Sequence, residues 1–178
     1  MKHPRMLHVI ADFFQMTDDV WAKHANPWSV YTRYPCLPIL AFFIWSRVWI
    51  GWWCMVPILL TCLWIWANPR VFGKPKSTKN WPSKAVFGER VLLMHPKIPT
   101  PKHHRRAIEF TKFLMLLGTL ILIFGLVQQS ASNTVLGVTI VLLAKTWFLD
   151  RMVWLYHDAL RTAPAVRARY YLFDCQKY

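Results

Sequence analysis

"FTKFLMLLGTLILIFGLVQQSASNTVLGVTIVLLAKTWFL", residues 110–149, decides the fold. A helix that crosses a membrane takes about 20 mostly apolar residues, with a range of roughly 17 to 25. This stretch is too long for one such helix and long enough for two. "QQSASN" (128–133) is a polar turn cluster that divides it. The pattern predicts helices at about 110–128 and 134–156, folded as a hairpin.

A second apolar stretch, "LPILAFFIWSRVWIGWWCMVPILLTCLWIWA" (37–67), poses the same question. Ser46, Arg47 and Gly51 interrupt it, and Trp45, Trp49, Trp52 and Trp53 surround the break. Tryptophan favours the headgroup level of a bilayer, so a turn near 47–51 at the surface fits. The first helix then starts near Trp28 or Tyr34, with Pro35 and Pro38 in its opening turns. Pro57 is expected to kink the second. The competing reading is one long tilted helix over 37–67, although tilt absorbs only modest excess length.

Charge separates three spans from four. Between the two apolar stretches, residues 68–107 carry ten Lys and Arg against one acid, Glu89. Residues 1–33 hold Lys2, Arg5, Lys23 and Arg33, and the tail beyond 150 holds five more cations. The two expected outer turns have Arg47 and nothing else. Lys and Arg gather on the cytoplasmic side of short loops. Four spans, with both termini and the central loop inside, put the charge where that rule wants it. Three would leave one terminal segment outside.

The chain of 178 residues is one domain's worth, with net charge +14, 55% hydrophobic and only 17% charged residues. A soluble domain of this size buries too little surface to hide eleven Trp and eleven Phe. In a soluble protein the charge would point to nucleic acid, but no recognition motif accompanies it, and nucleic acid is excluded as a partner. Bracketing apolar segments, it points to anionic lipid. Cys36, Cys54, Cys62 and Cys175 form no C-x-x-C pair, which argues against a thiol oxidase. "MKHPRMLHVIADFFQMTDD" lacks the apolar core and cleavage site of a signal peptide, and "MLHVIADFFQM" (6–16) reads as an amphipathic surface helix. Six of the twelve prolines fall in the central loop and exclude a long helix there. A short one at "SKAVFGERVLLM" (83–94) is expected to lie along the interface. The organisation is therefore an interfacial segment (1–33), a first hairpin (34–67), a cytoplasmic loop (68–107), a second hairpin (108–156) and a basic tail (157–178). The fold class is all-α: a polytopic membrane protein with four transmembrane helices as two hairpins.

Several strings resemble an uncharacterised family of small prokaryotic integral membrane proteins. They are "HANPWSVYTR" (24–33), "IWSRVWIGWW" (44–53), "NPRVF" (68–72), "NWPSKAVFGER" (80–90), "HHRR" (103–106) and "FLDRMVWLYHD" (148–158). The resemblance implies a helical membrane fold and carries no activity or cofactor, so no catalytic role transfers from it.

The polar residues supply two function classes. His103 and His104 are adjacent, and neighbours on a helix diverge by about 100°, whereas metal-binding pairs sit three or four apart. No metal site is assigned. Arg105 and Arg106 open a helix whose N-terminal dipole favours anions, and their planar forks suit phosphate. With Arg90 and Arg151 they are the headgroup-binding candidates. Lys145 is expected to snorkel from the inner end of its helix, with Asp150 as a partner nearby. Asp150, His157 and Arg161 share one helix face, a candidate polar lining of an inner pocket. His24 faces that pocket or caps the first helix, and Glu89 is expected to pair with Arg90 or Lys84. The first reading is an inner-membrane subunit or scaffold without catalysis, its cytoplasmic face on anionic headgroups. Its partners are membrane lipids and, as a further class, other membrane subunits. The alternative is a small membrane enzyme at the inner interface, acting on a phosphorylated or lipid substrate. There His24, Glu89, His103, His104, Asp150 and His157 supply acid–base or metal chemistry. The enzyme reading requires those six to converge, and the scaffold reading has them fan out. A transporter is least favoured, for want of paired acids and broken helices at the midplane.

Overall fold

The computed structural model describes residues 17–94 and 101–162, and among them every regular element is helical. The surface segment expected at 6–16 and most of the basic tail lie outside the described residues. The helices are α1 (Asp18–His24), α2 (Pro27–Tyr31), α3 (Cys36–Trp45), α4 (Arg47–Ile50), α5 (Met55–Val71), α6 (Trp81–Met94), α7 (Lys102–Val127) and α8 (Ala131–Thr162). A 3-10 turn, Gly51–Cys54, joins α4 to α5.

Local chemistry explains the starts and stops. Thr17 caps α1 by accepting from the Val20 amide, with Asp18 and Asp19 in the first turn and Lys23 in the last, each complementing the helix dipole. Asn26 caps α2, and Pro27 takes the first helical position, where a missing N–H costs nothing. Ser46 donates its hydroxyl to the Phe43 carbonyl where α3 gives way to α4. Gly51 then turns the chain with a φ of 56°, a left-handed value that any Cβ would strain. Pro57 was expected to kink the following helix. It sits instead in the first turn of α5, where no intrahelical bond is lost, and the proline inside that helix is Pro69.

Among the described residues, three helical stretches are long and apolar enough to cross a membrane: Pro27–Val71, Lys102–Val127 and Ala131–Thr162. The first is not straight. α5 packs back against α3, and Asn68 near its end donates to Thr32 ahead of α3, 2.7 Å away. At the other end of this fold-back, Arg47 donates to the Leu126 carbonyl at 2.7 Å, on the last turn of α7. The tips at 46–54 and 127–131 therefore lie at one level.

α7 and α8 pack along their length. At Gly137 a Cβ would sit 2.5 Å from the Leu122 amide nitrogen, and at Gly125 equally close to that of Thr134. Small residues that let backbones approach are how helices associate where water supplies no driving force. Outward, the same helices present bare hydrocarbon: Phe113, Leu116, Leu120 and Leu143 are all more than half exposed, as is Leu63 on α5.

Below this apolar layer lies a cap. α6 packs on the C-terminal half of α8, with α1 beside it, and buries Trp21, Ala85, Val86, Phe87, Val91 and Leu149 in one core. Gly88 permits the contact, since a Cβ there would meet the Met152 carbonyl oxygen at 1.9 Å. The helix expected to lie along the interface at 83–94 is thus the centre of the cap. Its apolar face is covered by α8 rather than by headgroups.

Candidate functional site: two polar clusters in the cap

The first cluster is a chain of hydrogen bonds running in one direction. Arg33 donates to His24 Nε2 (3.2 Å), so His24 carries its proton on Nδ1 and donates to Ser29 Oγ (3.1 Å). Ser29 donates to Asn68 Oδ1 (2.8 Å), Asn68 Nδ2 donates to Thr32 Oγ1 (2.7 Å), and Thr32 donates to the Trp28 carbonyl (2.6 Å). His24, Ser29 and Asn68 are buried. Burial, with the charges of Arg33 and Lys145, holds the His24 imidazole well below its usual pKa and keeps it neutral. Glu89 faces the same cations. Burial raises its carboxyl, and the charges of Lys145 and Arg33 oppose that rise. No ion pair forms between Glu89 and Arg90 or Lys84 among the described residues. Arg90, 1% exposed, pairs with Asp18 instead.

The second cluster joins the first turn of α7 to the last turns of α8. His104 Nε2 lies 2.8 Å from Asp158 Oδ2, and His103 Nε2 lies 3.9 Å from the same oxygen. His104 is buried and His103 is exposed. A histidine held by a carboxylate can act as an acid–base pair or ligate a metal.

The six acid–base candidates do not meet in one place. His24 and Glu89 belong to the first cluster, and His103 and His104 to the second. Asp150 bonds Arg151 (2.8 Å), its neighbour in the chain, and takes no part in either; His157 is half-buried beside them on α8. Lys145 is half-buried and faces Glu89 rather than Asp150. Of the headgroup candidates, Arg90 is inside, Arg151 is half-buried over the Trp154 ring (5.7 Å), and Arg105 and Arg106 are exposed. Sequence reasoning missed Arg33, Ser29, Asn68 and Asp158. For Asp158 a signal existed: folding about the turn at 128–130 brings the start of α7 beside the end of α8, where His157-Asp158 stands.

The fold is that of a helical protein with helices apolar enough to cross a membrane and a polar-cored cap at one end. The chain belongs to the family described as "Family of unknown function (DUF6653)", whose model matches residues 6–170. The expectation of an uncharacterised family, read from the motifs, is met. Neither a curated protein nor a solved structure gives a match.

Proposed function

We propose that the protein is a four-span membrane protein of two hairpins whose cap faces the cytoplasm. It acts as a small non-catalytic subunit or scaffold that grips anionic lipid headgroups. One observation carries the reading: Arg105 and Arg106 are exposed at the foot of α7 and take part in no ion pair among the described residues. Arg90 and Arg151, by contrast, are engaged by Asp18 and Asp150. The α7 N-terminus has no side-chain cap, so its first amides add to the attraction for phosphate. Tryptophans at two levels support a slab between them. Trp49, Trp52 and Trp53 stand at the first tip, and Trp66, Trp147 and Trp154 near the cap. The fold-back of α5 on α3, closed by Asn68 and Thr32, supports two short spans over the first stretch.

The test is purified protein in lipid nanodiscs, with bound lipid identified by native mass spectrometry. Phosphatidylglycerol should be retained over phosphatidylcholine, and Arg105→Gln with Arg106→Gln should remove the preference. Tags at residue 1, within 74–84 and at 178 should all report the cytoplasmic face. Equal retention of both lipids would overturn the headgroup reading, and tags on opposite faces would overturn the topology. The enzyme alternative keeps one supporting observation, the meeting of His103, His104 and Asp158.

A further inference from the structure

We infer that His103, His104 and Asp158 form a binding site for a divalent first-row transition ion, with Zn2+ as the reference case. Successive residues of a helix point about 100° apart, so two neighbouring histidines do not converge by default. Here their rings stand 4.2 Å apart, and both Nε2 atoms turn to one oxygen, Asp158 Oδ2, supplied by another helix. One ligand atom from each residue lies within 4.8 Å of the other two. An ion bound at about 2.0–2.2 Å holds tetrahedral ligand atoms roughly 3.3–3.6 Å apart. The observed separations from the carboxylate oxygen, 2.8 and 3.9 Å, bracket that value. Small side-chain rotations therefore complete the site, without movement of either helix.

The donors name the class of ion. Two imidazole nitrogens and one carboxylate oxygen suit zinc, iron, cobalt or nickel, whereas magnesium and calcium take mainly oxygen. His104 is 2% exposed, and its Nδ1 is buried with no partner among the described residues. A hydrogen bond to Asp158 alone thus leaves this ring half satisfied, and its position is set by packing before any ion arrives. The His103 side chain is 70% exposed, so the ion's remaining positions open outward, to water or to an anionic oxygen. Lys102, Arg105 and Arg106 are exposed on the same first turns of α7, and positive charge so close along the helix favours ions that bind imidazole covalently over those held by charge alone. The bland competitor is a hydrogen bond that merely ties α7 to α8. It gives no reason for His103 to approach the same oxygen.

The experiment uses the full chain in detergent, stripped with a chelator and titrated with Zn2+ by calorimetry, the bound ion being counted by elemental analysis after gel filtration. One ion per chain is expected, undisplaced by excess Mg2+. His103→Gln, His104→Gln and Asp158→Asn should each weaken binding about tenfold or more. Co2+ in place of Zn2+ should show visible bands that each variant loses. His103 is exposed, so its variant keeps the fold and reads the ligand alone; helical circular dichroism and elution volume check the other two. Absence of bound Zn2+, displacement by Mg2+, or unchanged binding in folded His103→Gln would each overturn the site. Lipid retention is measured separately, so failure here leaves the headgroup reading standing.

Discussion

The apolar layer and the cap share one helix, α8, yet they obey opposite rules. In the layer, α7 and α8 meet through glycines and turn leucine and phenylalanine outward, and Leu122 and Leu126 join Ala41 of α3 in a small buried apolar cluster. In the cap, α8 turns Met152 and Leu155 inward, both at most 2% exposed. α8 passes through both regimes without a break. The difference is the one that two solvents would impose: lipid would ask only that backbones fit, whereas water drives hydrocarbon inside.

That contrast can be broken most directly by making one kind of truncation in each half. Met152→Ala in the cap should cost about 2–5 kcal/mol. Leu143→Ala, in the layer and 66% exposed, should stay within about 0.5 kcal/mol. Thermal unfolding in detergent, followed by tryptophan fluorescence, reads both. Equal losses would mean that Leu143 is packed against protein and the layer does not face lipid.

A smaller effect tests the boundary between the halves. Asn68→Leu leaves the Ser29 hydroxyl buried without its acceptor, at about 1–3 kcal/mol. Adding Ser29→Ala removes that stranded donor but strands the His24 Nδ1–H in its place, so the double variant should lose clearly less than the sum of the two single losses. Additive losses would show that the chain of bonds is not what Asn68 supplies.

The smallest effect is on pH. His24 is depressed in the fold, so the unfolded chain takes up the proton first. Stability is full above the ordinary value of 6.5 and declines as pH falls through it toward the folded value. Glu89, raised by burial, acts in the opposite sense from 4.5 upward, so the comparison with His24→Gln isolates the histidine. The variant's unfolding midpoint should lose less on acidification than the parent's. Parallel slopes would remove His24 from the account.

Much of this contrast is legible in the sequence. "QQSASN" marked the second turn to within a few residues, and Ser46, Arg47 and Gly51 marked the first break, because turn chemistry is local. Helix α6 was visible as an apolar pattern at 83–94, but periodicity tells which face is apolar and not what covers it. Headgroups and a neighbouring helix leave the same trace. The polar clusters were the least legible part. Ser29 and Asn68 lie 39 positions apart, and His104 and Asp158 lie 54 apart. Each partner looks like an ordinary helix-end residue until the register of both hairpins is known. Arg90 misled for a similar reason: one cation among many gives no hint that it is buried in the cap and paired with Asp18 of α1.

Asn68 also acts as a gauge of register. It can reach Ser29 and Thr32 only if the excursion from 33 to 67 contains the right number of turns on both limbs. A fold-back one turn longer or shorter on either limb would hold the amide clear of its partners. The buried chain of bonds can therefore close only over correctly matched limbs, and its closure serves as proofreading for the segment between them.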